Sequence, residues 1–95
     1  MLGENGIVLA LAIIDKKTKE ILNADIATKG FVYVKNNIEL IEKANEMTKE
    51  IIKNNTKNNY VDYSKVKNEI RDKMGKYFYE ETESKPVILI MIQEV

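Results

Sequence analysis

Two apolar runs stand at opposite ends of the chain. Ile7-Val8-Leu9-Ala10-Leu11-Ala12-Ile13-Ile14 has no polar break, and Val87-Ile88-Leu89-Ile90-Met91-Ile92 forms the body of the stretch Pro86 to Val95. Runs of this length, rich in β-branched residues and bounded by turn signals, read as strands covered on both faces. Both are too short for a membrane span, which needs about 20 apolar residues. In the first run the odd positions are large (Ile7, Leu9, Leu11, Ile13), while the even ones include Ala10 and Ala12.

Between these runs the pattern changes twice. Asp15 to Glu20 is polar and short, as a hairpin turn requires. Ile21-Leu22 resumes the apolar character, Asn23-Ala24-Asp25 is read as a kink, and Ile26 to Val34 as a strand. Alternation puts Ile26, Thr28, Gly30, Val32 and Val34 on one side and Ala27, Lys29, Phe31 and Tyr33 on the other. Gly30 inside the strand suggests a bulge or a close backbone approach. Asn36 then opens a helix, with Glu39 at the capping-box spacing. Its stripe is Leu40, Ile41, Ala44, Met47, Thr48, Ile51 and Ile52. Lys53 to Asn59 reads as a polar loop without apolar anchors. Asp62 caps a second helix with the stripe Tyr63, Val66, Ile70, Met74, Tyr77 and Phe78. Gly75 lies within that helix at a cost of about 1 kcal/mol relative to Ala, as a tight crossing would require. The helix must stop before Pro86.

The order is β-β-α-α-β. The fold class is α+β, a two-layer sandwich with a three-stranded sheet and two helices on one face. The last strand is expected inside the sheet beside Ile7–Ile14, parallel or antiparallel to it, and not on a free edge. Two helices leave the second sheet face uncovered, and an apolar patch of several hundred Å² on a soluble chain marks a contact surface. Small and flat side chains suit such a contact. The interface is therefore expected at Ala10, Ala12, Phe31 and Tyr33, with Ile88, Ile90 and Ile92 from the last strand, and the large odd positions are expected under the helices.

Composition narrows the chemistry. The chain has 95 residues, 44% hydrophobic and 32% charged, which fits one folded domain and not a disordered one. Lys+Arg and Asp+Glu balance at 15 each, so the basic excess common in polyanion binders is missing. There is no cysteine and no histidine, which removes thiol nucleophiles, Cys/His zinc sites and imidazole acid–base catalysis. No basic-then-apolar leader precedes the first strand. Asn54-Asn55-Thr56 matches a glycosylation sequon, a chance match in a chain without a secretion signal. Gly3-x-x-Gly6 precedes a strand and does not open a helix, so it is no phosphate loop. Ser64 and Ser84 lack any histidine partner, and the carboxylates sit in polar surroundings except Glu94. Phe31 and Tyr33 with Lys29, and Lys16 and Lys17 in the hairpin turn, form the one alternative: a small RNA-binding module that stacks bases on a sheet face.

Several segments resemble the C-terminal domain of bacterial ribonuclease J. Asp25-Ile26-Ala27-Thr28-Lys29-Gly30-Phe31-Val32-Tyr33-Val34 is similar to that family's D-I-x-[ST]-R-G-F-V-Y-V segment, and Ile13-Ile14-Asp15-Lys16-Lys17-Thr18 to the hairpin before it. Ile70-Arg71-Asp72, Tyr79-Glu80-Glu81-Thr82, Pro86-Val87-Ile88-Leu89 and Glu94-Val95 resemble its ending. The chain departs from the family at Lys29 and Lys85, where Arg is favoured, and at Ile90, where the family has Pro. Lysine keeps the charge there but loses bidentate pairing.

The resemblance implies a parent that is a large cytoplasmic ribonuclease, zinc-dependent, with 5′-to-3′ exonuclease and endonuclease activity in messenger RNA decay and ribosomal RNA maturation. It implies that the zinc ligands lie in a metallo-β-lactamase domain with a β-CASP domain inserted, both upstream of this chain. Residues 1–95 are then a single accessory domain, without catalytic or metal-binding residues and without a cofactor of its own. The expected role is assembly: a homo-oligomer, dimer or higher, with the upstream catalytic domains as further partners, RNA reached only through the parent, and no membrane.

Overall fold

The computed structural model describes residues 6–30 and 37–95. Its elements are β1 (Ile7–Ile14), β2 (Ile21–Lys29), α1 (Asn37–Asn55), α2 (Tyr63–Thr82) and β3 (Val87–Glu94). The expected β-β-α-α-β order and the α+β class hold. The sheet has three strands in the order β2-β1-β3. β1 pairs antiparallel with β2 and parallel with β3, in the register Ile7↔Val87 through Ile14↔Glu94.

The hairpin turn follows from its side chains. Lys17 and Thr18 donate their backbone N–H groups to Asp15 Oδ1 at 2.8 and 2.9 Å, an Asx-type closure that favours a reversal here. β2 is one continuous strand: Asn23, Ala24 and Asp25, read as a kink, pair with Ile13, Ala12 and Leu11. The irregularity lies instead between Ile13 and Ile14, where the register shifts at a bulge. Gly30 follows the last paired residue at φ +68°, a left-handed conformation that glycine adopts without a Cβ penalty. Asn36, Phe31 and Tyr33 lie outside the described residues.

α1 extends two residues beyond Lys53 to Asn55. Asn55 Nδ2 donates to Ile51 O at 2.8 Å and Glu69 Oε1 at 3.1 Å, and Thr56 Oγ1 donates to Ile52 O at 2.7 Å. The link after it is tied down by a bridge between Lys57 and Tyr60 and by buried Val61. Asp62 caps α2 as expected, accepting from Lys65 N–H. The helix ends on Glu83 at φ 60°, whose N–H donates to Tyr79 O, a left-handed C-terminal stop. The Glu69–Lys73 pair forms at 3.1 Å.

One cluster fills the space between sheet and helices. It joins Val8, Ala10, Ala12, Ile14 and Ile88 with Ala44, Ile51, Ile52, Val66, Ile70, Met74 and Phe78. Asn45 Nδ2 donates to Ala24 O and Tyr77 OH to Leu40 O, both at 3.0 Å, fastening α1 to β2 and α2 to α1. Gly75 is not required by the packing inside the molecule. A Cβ there would meet Ile88 Cδ1 at 3.7 Å, an ordinary contact.

Two expectations are corrected. Ala10 and Ala12 are buried beneath the helices and not on the open face. Phe78, Met74 and Ile52 are fully buried in the same cluster. Ile88 is buried with them, and Ile90 and Ile92 are half-buried against the same core. The expected contact set thus sits on the helix side wherever it is described. β3, in turn, is an edge strand. The tight hairpin gives one side of β1 to β2, so the last strand can only take the other, and nothing among the described residues lies beyond it.

Candidate interaction surface

The face turned away from the helices is set by the register. From β1 it takes Ile7, Leu9, Leu11 and Ile13; opposite them on β3 stand Val87, Leu89, Met91 and Gln93, and on β2 Lys29, Ala27, Asp25 and Asn23. The side along β1 and β3 is therefore apolar and the side along β2 is polar. Leu89 and Met91 are 49% and 54% exposed, whereas their β3 neighbour Ile88 on the other face is 7% exposed. Ile7, Leu9, Leu11, Ile13 and Val87 are half-buried, and none of them belongs to the core cluster or packs against it. Strands of eight residues at about 4.8 Å spacing make the apolar strip roughly 10 by 26 Å, within a three-strand face of roughly 14 by 26 Å.

The described lysines of the alternative RNA patch lie at opposite ends of the hairpin. Lys29 is paired at the Ile7 end of the hairpin, while Lys16 and Lys17 lie in the turn beyond Ile14. Seven residues of strand, about 23 Å, separate the two ends. Phe31 and Tyr33 lie outside the described residues.

One polar cluster closes the far end of the sheet, and of its members only Glu94 stood out in the sequence. Lys19 Nζ and Tyr63 OH both donate to Glu94 Oε2 at 2.6 Å, joining the hairpin turn, the start of α2 and the end of β3. The Lys19 and Tyr63 hydrogen bonds hold the Glu94 carboxyl below its usual 4.5. Burial, then the hydrogen bond to Glu94, pushes the Tyr63 phenol up to about 12. Each shift favours the state that makes the contact: an ionised carboxylate and a neutral phenol. With two donors on Oε2 and a depressed pKa, Glu94 is a clamp and is poorly suited to act as a base. Among the described residues no group of three or more His, Cys, Asp or Glu side chains could hold a metal ion, and no helix is long and apolar enough to cross a membrane.

The clamp gives stability a pH signature. Glu94 has a depressed folded-state pKa, so its contribution is complete above about 4.5 and is lost as pH falls through the folded value. Tyr63 has a raised one, so its contribution is complete below about 10 and is lost as pH rises toward 12. Thermal melts across pH should show both losses in the native chain. In Glu94→Gln both limbs should be shallower, with a lower plateau between them. Superimposable profiles would remove the clamp from the account of stability.

The family model described as Ribonuclease J C-terminal domain matches residues 1–95. The chain is 34% identical over 96 residues to Ribonuclease J2 of Bacillus subtilis. It is 31% identical over 96 residues to Ribonuclease J 2 of Staphylococcus epidermidis and to that of Staphylococcus aureus. Each match covers 100% of this chain and 17% of the relative. The chain thus spans about one sixth of the length of these curated relatives.

Proposed function

Since the chain belongs to the ribonuclease J C-terminal domain family, we propose that it is the non-catalytic assembly domain of a cytoplasmic, zinc-dependent ribonuclease. In this reading the zinc ligands and the RNA-cleaving groups reside in the upstream domains. This domain joins subunits by burying its open sheet face against the same face of a second copy. The observation that carries the reading is the apolar strip of Ile7, Leu9, Leu11, Val87, Leu89 and Met91, which lies outside the core cluster and exposes Leu89 and Met91. Two such faces stacked about 10 Å apart make an aligned sandwich with the helices outside.

Sedimentation equilibrium over a wide concentration range tests it. The chain should self-associate in the micromolar range, and Leu9→Lys, at the middle of the strip, should shift it to monomer with an unchanged circular dichroism spectrum. A chain that stays strictly monomeric at high micromolar concentration would remove the assembly role.

A further inference from the structure

We propose that the outer edge of β3 is a second self-association site, at which two copies pair antiparallel and join their sheets into one. This rests on the assembly reading above and deepens it.

The backbone of β3 is divided by residue parity. Val87 N–H donates to Gly6 O, Val95 N–H donates to Ile14 O, and Val95 O accepts from Lys16 N–H, each at 2.9 Å. The odd residues therefore aim their N–H and C=O groups at β1. Ile88, Ile90, Ile92 and Glu94 aim theirs outward, where no described strand lies. Folded proteins guard such edges with charge, proline, bulges or very short strands. The β2 edge has these guards: Asp25, Lys29 and the nearby bulge. The β3 edge has none of them before its last residue: positions 87–93 hold no charged residue, Pro86 stands just before the ladder, and the Glu94 charge is held by Lys19 and Tyr63.

A twofold axis beside Met91 uses this edge completely. Ile90 then faces Ile92 of the second copy and Ile88 faces its Glu94, and every outward amide and carbonyl of the four residues finds a partner. Met91 faces its own counterpart on the open side, in a non-hydrogen-bonded pair. Glu94 brings no unpaired charge into the junction, because Lys19 and Tyr63 already hold it.

Two further observations fit a second copy. Paired edges bring the α2 helices alongside each other. A groove opens there between α2 and the start of β3, lined by Arg71, Asp72, Gly75, Lys76, Tyr79, Lys85 and Pro86. Its helical side holds the glycine that internal packing does not explain. The second observation is area. One open face, roughly 14 by 26 Å, falls short of the ~800 Å² per partner of an ordinary stable interface, whereas a doubled sheet approaches it.

The chain lacks cysteine, which allows a direct test in the full chain. The proposed register sets the two Met91 Cα atoms about 4.5 Å apart, inside the range a disulfide spans, and leaves the two Leu89 positions far out of range. Under mild oxidation Met91→Cys should cross-link to dimer at least ~10-fold faster than Leu89→Cys. In parallel, hydrogen exchange should show the amides of Ile88, Ile90 and Ile92 gaining protection as concentration rises, which face stacking alone cannot produce because they point along the sheet plane. Self-association with equal or no cross-linking of the two variants, and no such protection, would overturn edge pairing and leave the face reading standing. Cross-linking that persists while Leu9→Lys has no effect on mass would do the reverse. A monomer with neither signal would overturn both.

Discussion

Phe78→Ala should remove a large part of the domain's stability. Phe78 is the largest fully buried side chain among the described residues, and its ring stands 5.4 Å from that of Tyr77 between α2 and the sheet. Truncating a buried phenylalanine costs about 3–5 kcal/mol, part transfer and part cavity. A domain of this length has a total stability of roughly 5–14 kcal/mol. Cavity collapse is limited here, because Val66, Ile70 and Met74 on the same helix face are themselves packed to near-zero exposure. The urea midpoint should fall by about 2 M with the slope unchanged. A shift of a few tenths of a molar would mean that the core repacks around the gap.

Ala12→Leu should be almost as damaging, for the opposite reason. Ala12 is 1% exposed in the central strand, opposite Ala24 and Ile92, with the helix layer above it. A leucine has no void to enter and must lift α1 from the sheet. Overpacking of this kind costs about 1–3 kcal/mol, and the upper end is expected where three carbons are added against a central strand. That corresponds to a fall in Tm of roughly 10–20 °C for a domain of this size. The loss should appear in dilute solution, where no partner is present. A variant that melts like the native chain but no longer associates would return Ala12 to the partner-facing side.

The second experiment turns on the point at which sequence reasoning stopped. Element order, the Asp62 cap, the helix stripes and the existence of an uncovered face all follow from local chemistry and from the period of apolar positions. Which face of β1 is uncovered does not, because β1 is apolar at both parities. A plain hairpin closed at Ile14 and Ile21 would set Ala12 opposite Asn23 and Ala10 opposite Asp25, grouping the alanines with polar residues. The bulge between Ile13 and Ile14 slips the register by one and sets them opposite Ala24 and Ile26 instead. A slip of one exchanges every side chain between faces, and no residue in Asp15 to Glu20 announces it. The polar alternation of Asn23, Asp25 and Lys29 on β2 marked the outward side of that strand, but could not be carried across to β1 without the bulge.

Glu94 was legible in part. Its place at the end of an apolar run marked it as unusual, yet its partners Lys19 and Tyr63 lie 75 and 31 residues away in the chain and share no local pattern with it. The family resemblance reached the ending Glu94-Val95 for reasons unconnected with that contact. The edge position of β3 was misjudged because its hydrophobicity was taken as a sign of cover on both sides. Hydrophobicity reports the faces of a strand, whereas edge status depends on where its backbone groups find partners.

The parallel pairing of β1 with β3 also fixes how the domain bears load. The two strands are neighbours and run the same way, so the start of one and the finish of the other lie at opposite ends of the sheet. A pull applied at Gly6 and Val95 would slide the strands along each other and strain the whole ladder at once, with the Lys19–Glu94 contact in series. Peeling the bonds one by one would need a pull from a single end. A joint built in this way between subunits would hold against tension between them, with its lifetime under force set by the barrier to unfolding and not by equilibrium stability.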